Sequence, residues 1–239
     1  EYILSREVSE FEENFSMYCG TKYAVGVGSG SDALYMSLII LGIGYGDEVI
    51  TSPNSFISTA GVIERTGATI IFADVGNDMN IDPDMIESVI SKRTKAILPV
   101  HLTGRVAEMD RIKTIADKHN LFVVEDAAQA IGAIYKGKKA GTFGYTGCFS
   151  FFPTKNLGGA ADGGIITLDD KDLAARLTHL RVHGDIGGYN HVAVGFNSRR
   201  DALQAAILRT KLTRLEEWTE QRIESAAHYD RLIDAQGLG

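Results

Sequence analysis

The run Ala96-Ile97-Leu98-Pro99-Val100 is followed by Met109, Ile112, Ile115 and Ala116 at helical spacing and then by Leu121-Phe122-Val123-Val124-Glu125; this succession decides the fold class. The first and last runs are short and almost wholly apolar, as strands covered on both faces are. Between them the apolar residues recur every three to four positions, which buries one stripe of a helix and leaves the rest in water. Strand, amphipathic helix, strand is a crossover unit, and it implies a parallel pair.

The same alternation extends in both directions. Runs at 24–27, 48–51, 69–73, 148–152 and 165–168 read as further buried strands. Asp82-Pro83 supplies a cap and a first-turn proline, after which Met85, Ile86, Val89 and Ile90 fall on one helical face. A parallel sheet covered on both sides follows, and ligands of such sheets collect beyond the carboxyl ends of the strands. From Ser198 onward no strand-like run returns, and Leu203, Ile207, Leu212, Leu215, Trp218 and Ile223 predict a long amphipathic helix running nearly to the end.

Composition narrows the function classes. The chain has 239 residues, 44% of them hydrophobic and 23% charged, enough for one large domain with a core of its own. A formal net charge of -7 argues against a nucleic-acid binder, which needs a basic surface to neutralise phosphates. No apolar run reaches bilayer length, and Glu1-Tyr2-Ile3-Leu4-Ser5 lacks a basic region followed by an apolar stretch, so a cytoplasmic protein is expected. Cys19 and Cys148 lie among apolar or small neighbours and read as reduced core residues rather than metal ligands or a disulfide.

Four segments carry candidate chemistry. Gly26-Val27-Gly28-Ser29-Gly30-Ser31-Asp32-Ala33 follows a strand and opens a helix, where small residues let backbone N–H groups approach a phosphate. Its G-x-G-x-x-A spacing also suits a dinucleotide, but that needs an acid at the end of the second strand. Asp47 and Glu48 stand at the start of that strand instead, and Thr51-Ser52-Pro53-Asn54 carries no carboxylate. Phosphate binding fits better, and a capped helix after a tight turn explains the glycines as well. Gly132 to Lys139 imitates a phosphate loop but ends in Lys where Ser or Thr must reach Mg²⁺, and Tyr135-Lys136-Gly137-Lys138 reads as an exposed hairpin turn.

Glu125-Asp126 ends a very apolar strand, where a carboxylate is partly desolvated and wants a cation or hydrogen-bond donors; Asp there also serves as a helix N-cap. Lys155 lies between Phe149-Ser150-Phe151-Phe152 and Gly158-Gly159. A lysine held among apolar groups keeps its amine available as a nucleophile, as Schiff-base enzymes require, whereas a surface-loop lysine is the plainer reading.

Taken together, 28–34, 55–60, 125–129, 150–158 and 197–206, in that order, resemble the DegT/DnrJ/EryC1/StrS sugar aminotransferases along essentially the whole chain. The resemblance implies a three-layer α/β/α large domain of the fold-type I pyridoxal 5'-phosphate (PLP) enzymes, with a mostly parallel seven-stranded sheet. It implies that Lys155 forms the imine with the cofactor and that Asp126 keeps the pyridine nitrogen protonated. Gln129, taken as one helical turn further on, meets the ring hydroxyl, and Phe56 stacks on the ring. Gly30 and Ser31 N–H groups with the Ser150 hydroxyl hold the phosphate, and Asn197 reaches it from the neighbouring subunit of a homodimer. The implied reaction moves an amino group from an amino acid, usually glutamate, to a nucleotide-linked keto sugar. A PLP-binding regulatory or inactive relative of the same fold is the alternative.

The family pattern also implies two parts: a cofactor-binding domain over 1–214 lacking its first segment, and a helix over 215–239 leading toward a small C-terminal domain. Three residues depart from that pattern: Ala161, where glycine is common, Arg200, where an apolar residue is common, and Thr103, where an aromatic is common. His183, Tyr189 and His191 lie in a polar loop ahead of Asn197 and read either as facing substrate or as plain mobile surface.

Overall fold

The computed structural model describes residues 2–237. The chain begins with α1 (Arg6–Cys19), β1 (Tyr23–Val27), α2 (Gly30–Ile40), β2 (Glu48–Thr51), α3 (Ile57–Thr66) and β3 (Thr69–Phe72). It continues through α4 (Pro83–Val89), β4 (Thr94–Leu98), α5 (Met109–His119), β5 (Phe122–Asp126) and the short hairpin β6 (Ile134–Tyr135) and β7 (Lys138–Lys139). It closes with β8 (Thr146–Ser150), β9 (Gly164–Leu168), α6 (Lys171–Leu180), α7 (Ala202–Leu212) and α8 (Leu215–Ala235).

Seven strands form one sheet in the order β1-β9-β8-β5-β4-β2-β3. All run parallel except β9, which is antiparallel to both β1 and β8. Alternate strand residues feed two separate cores. Ile97, Val123 and Phe149 join Phe11 and Phe15 of α1, Ile112 of α5 and Leu208 of α7 on one face. Ala96, Val124 and Cys148 join Leu38 of α2, Ile63 of α3 and Leu177 of α6 on the other. The period of two sends neighbours to opposite faces, and the three-layer expectation is met.

Several local expectations hold. Asp82 caps α4 by accepting from Asp84 N–H, with Pro83 in the first turn. Lys136 and Gly137 both have positive φ (47° and 80°), the geometry of a tight primed hairpin turn between β6 and β7. Lys139, the last residue of the false phosphate loop, pairs with Glu216 at 2.9 Å and so ties the hairpin to α8. Cys19 and Cys148 are free and buried.

Two expectations are corrected. The segment from Ser198 is not one helix: α7 ends at Leu212 and α8 begins at Leu215. The buried face of α7 is also turned from the one the apolar pattern suggests, because Ala202, Ala205 and Leu208 are buried while Leu203 and Ile207 are 69% and 38% exposed; Leu215, at the start of α8, is buried as the pattern has it. Small residues win the core side because α7 packs directly against α1, where a close approach of backbones favours alanine. The second correction concerns Gln129, which lies in a turn rather than a helix. Ala130 N–H bonds Ala127 O at 2.9 Å, Ala133 N–H bonds Ala130 O at 3.0 Å, and Gly132 has φ 84°.

Candidate active site

Four chain segments converge beyond the carboxyl ends of β1, β2, β5 and β8. The first turn of α2 is set by Ser29, whose side chain accepts from Asp32 N–H. Its leading N–H groups have no acceptor within their own helix and point, with the positive end of the helix dipole, toward an anion. Gly30 is required there, since a Cβ would stand 2.8 Å from the Ser150 Cβ. That approach brings the Ser150 hydroxyl, at the end of β8, beside the helix start.

β5 supplies the carboxylate. Asp126 lies on the same face as Val124, toward α2 and α3, and is 6% exposed. Its Oδ2 accepts from Thr59 Oγ1 at 2.8 Å, and its Oδ1 accepts from Ala128 N–H at 3.2 Å. Thr59 is 1% exposed, and its hydroxyl also lies 2.6 Å from that of Ser55. Burial pushes the Asp126 carboxyl above its ordinary value, and the Thr59 hydroxyl, the Ala128 N–H and the charge of Lys155 pull it partly back. The cap-like bond to Ala128 and the desolvated, cation-seeking environment therefore coexist in one residue.

The loop after β8 presents Lys155. Phe151 anchors it, buried between Phe11 and Phe15 with ring centroids at 5.3 and 5.4 Å. The chain then turns, Lys155 N–H bonding Phe152 O at 2.8 Å, and returns so that Gly159 N–H meets Phe151 O at 2.8 Å. Leu157 is buried, and the Lys211 ammonium of α7 donates to Gly158 O. Lys155 itself is half-buried, and among the described residues its ammonium makes no ion pair.

A cavity of ≈ 540 Å³ lies between these groups, and Gly30, Ser31, Phe56, Asp126, Gln129, Ser150 and Lys155 all line it. Seven of the eight residues singled out in the sequence thus meet in one space. Asn197 does not: it is exposed and outside the cavity of its own chain. Gln129 is tethered, its Oε1 accepting from Thr103 N–H at 2.8 Å, which leaves its amide N–H₂ to face a ligand. The loop holding His183, Tyr189 and His191 is apart from the cavity, with Tyr189 92% exposed.

Two supporting residues, Thr59 and His101, were given no role by the sequence reading, and Glu125 was read only together with Asp126. Glu125 and His101 are both 0% exposed, on the opposite face of β5 from Asp126. Glu125 Oε1 accepts from Phe143 and Gly144 N–H, each at 2.7 Å, and its Oε2 accepts from Gly141 N–H at 2.8 Å and His101 Nε2 at 3.0 Å. His101 Nδ1 accepts from Ala107 N–H at 3.2 Å, so the proton sits on Nε2. The His101 N–H also bonds Asp126 O at 3.0 Å, and the network fixes the end of the strand that carries the carboxylate.

The cavity fits PLP on these observations: a phosphate cradle at a helix start that admits only glycine, a desolvated carboxylate suited to a ring cation, and an unpaired amine, in a space of the size small cofactors fill. Among the described residues no group of His, Cys, Asp and Glu is placed to hold a metal.

The family model for the DegT/DnrJ/EryC1/StrS aminotransferases matches residues 1–238. A pleiotropic regulatory protein of Geobacillus stearothermophilus is 47% identical over 98% of this chain and 63% of its own length. The dTDP-3-amino-3,4,6-trideoxy-alpha-D-glucose transaminase of Streptomyces venezuelae is 45% identical over 100% of this chain and 63% of its length. The crystal structure of S. venezuelae DesV in complex with a ketimine intermediate superposes with a TM-score of 0.95 at 45% identity, covering 98% of this chain and 63% of that one. The chain therefore spans just under two thirds of the length of these relatives.

Proposed function

Since the chain belongs to the DegT/DnrJ/EryC1/StrS aminotransferase family, we propose that it is the cofactor-binding part of a PLP-dependent transaminase that moves an amino group from an amino acid, glutamate by family habit, to a nucleotide-linked keto sugar. One observation carries the reading: the Lys155 amine, the Asp126 carboxylate and the free N–H groups at the start of α2 share a single cavity.

When bound, PLP supplies a ring that takes up the electron pair left on the donor's Cα. Gly30 and Ser31 N–H groups and the Ser150 hydroxyl bind its phosphate. The Asp126 carboxylate, its Oδ2 fixed by Thr59, holds the proton on the pyridine nitrogen. Phe56 covers one ring face, and the Gln129 amide donates to the ring hydroxyl. The Lys155 amine would act as the general base and acid that holds and moves the proton of the donor's Cα. The second half reaction uses the same groups in reverse on the keto sugar.

A homodimer in which Asn197 completes the phosphate site of the other copy agrees with its exposure outside its own cavity. A cytoplasmic location agrees with the finding that, among the described residues, no helix is long and apolar enough to cross a membrane. A division into 1–214 and 215–239 agrees with the break between α7 and α8. Similarity to a regulatory protein favours a second reading, PLP binding without turnover. Mixing the intact, PLP-loaded protein with glutamate separates the two: loss of the protein-bound PLP absorbance supports the transaminase, and an unchanged spectrum with every amino acid supports the regulator.

The raised Asp126 carboxyl gives a pH dependence with a definite sign. The apo protein holds the Asp126 proton to a higher pH than a free carboxyl, and a pyridinium cation favours the ionised form. PLP binding therefore expels that proton, and affinity rises as pH increases through the Asp126 titration and falls below it, by at most about tenfold per pH unit. Asp126→Asn is expected to bind PLP more weakly at neutral pH and to lose this part of the slope. Absorbance titrations of both proteins from pH 4 to 8 check it, and parallel profiles would contradict it.

A further inference from the structure

Arg200, one of the departures from the family pattern, is 1% exposed, directly after the Asn197 segment and just before α7. Its Nη1 donates to Asp162 O at 3.1 Å, and its guanidinium lies 5.6 Å from the centroid of the Phe151 ring. Among the described residues its Nε and Nη2 have no acceptor, and no carboxylate forms an ion pair with it. The neighbouring buried cation, Arg181, is different: it pairs with Glu12, which also accepts from Gly26 N–H at 2.7 Å.

The guanidinium lies behind the wall of the cofactor cavity. A Cβ on Gly163, a cavity-lining residue, would stand 1.6 Å from Arg200 Nη1, so the two are in direct contact. A Cβ on the next residue, Gly164, would stand 2.7 Å from Gly30 N, the start of the phosphate cradle. One glycine pair thus separates the cation from the anion site. A second departure, Ala161, lies in the same 160–163 loop that Arg200 holds through Asp162 O.

We propose that Arg200 is a positioning residue for the phosphate end of the cofactor site, fixing the 161–163 wall through Asp162 O and supplying from behind it a positive charge that favours a bound phosphate. This rests on the cavity being a PLP site. A buried guanidinium with no carboxylate in ion-pair contact is costly, the charges of Asp201 and Asp162 offset that only from a distance, and a bound phosphate dianion offsets it further because attraction is screened less in the interior than in water. Burial lowers the Arg200 pKa only to about 10, so it remains charged at neutral pH. The apolar residue common at this position would fill the space without this effect.

The test compares PLP with pyridoxal, which lacks the phosphate, on the intact protein by equilibrium titration, alongside thermal melting of the apo form. Arg200→Met is expected to bind PLP on the order of tenfold more weakly, with pyridoxal affinity unchanged and an apo melting temperature equal to or above wild type. Inorganic phosphate competes correspondingly less well. Arg200→Lys keeps the charge and holds the ratio of PLP to pyridoxal affinity near the wild-type value, which decides the matter even where the methionine variant fails to fold. Equal loss of both ligands, or an unchanged ratio in Arg200→Met, overturns the inference, as does a collapsed ratio in Arg200→Lys. Wild-type protein that binds neither ligand sinks the cofactor reading itself, a distinct result.

Discussion

Replacing Lys155 with alanine is expected to stop amino transfer while leaving the fold intact. The amine is half-buried and without an ion pair among the described residues, so its removal strands no partner and changes stability by at most about 0.5 kcal/mol. The rate is another matter. Among the described residues no other amine lines the cavity, and of its other titratable groups, Asp126 and Asp162, the first is proposed to be occupied at the ring nitrogen. Losing the nucleophile and proton carrier together costs at least about 10⁴-fold in the half reaction with amino donor. Stopped-flow absorbance of PLP-loaded wild type and Lys155→Ala measures it, with a melting curve as control. A variant within tenfold of wild type would remove Lys155 from the chemistry.

Glu125→Ala is expected to give the largest loss of stability. The carboxylate is 0% exposed and accepts from Phe143, Gly144 and Gly141 N–H groups and from His101 Nε2. Removing it leaves four donors without an acceptor, the Gly141 N–H and His101 Nε2 buried and the Phe143 and Gly144 N–H groups part-buried, which costs roughly 3 kcal/mol, as the loss of one member of a buried charged network does. In a chain of this size that lowers the melting temperature by roughly 10 °C. Glu125→Gln recovers part of the loss, because one acceptor oxygen remains while the amide N–H₂ faces other donors. Since His101 also supports Asp126 through the backbone, weaker PLP binding accompanies the loss in variants that fold. A melting point within 2 °C of wild type, roughly 1 kcal/mol or less by the same conversion, would contradict the network's importance.

The sheet was legible because β-branched and apolar runs alternate with helical stripes, a signal local in sequence. β4 and β8 lie two residues earlier than their apolar runs suggest: β4 ends at Leu98, beyond which only an isolated bridge joins Val100 to Asp126, and after β8 Phe151 leaves the sheet to join the α1 aromatics. The buried face of α7 departs from the apolar pattern because Ala202 and Ala205 share it with Leu208, and hydropathy weights the larger side chains. At the site, Lys155, Ser150 and Gly30 carried local context, whereas choosing between Glu125 and Asp126 needed the family pattern. Adjacent carboxylates on one strand differ only in which face they enter. Thr59 meets Asp126 across 67 positions and His101 meets Glu125 across 24, so neither pairing leaves a local trace. Arg200 stood out as a departure, but only the contact with Gly163 reveals that it is buried behind the cavity.

The most direct measurement is borohydride reduction of the PLP-loaded intact protein followed by peptide mapping. A phosphopyridoxyl group confined to the peptide containing Lys155 is the expected result. The same group found only on other lysines, with Lys155 unmodified, would contradict the central claim that this amine holds the cofactor.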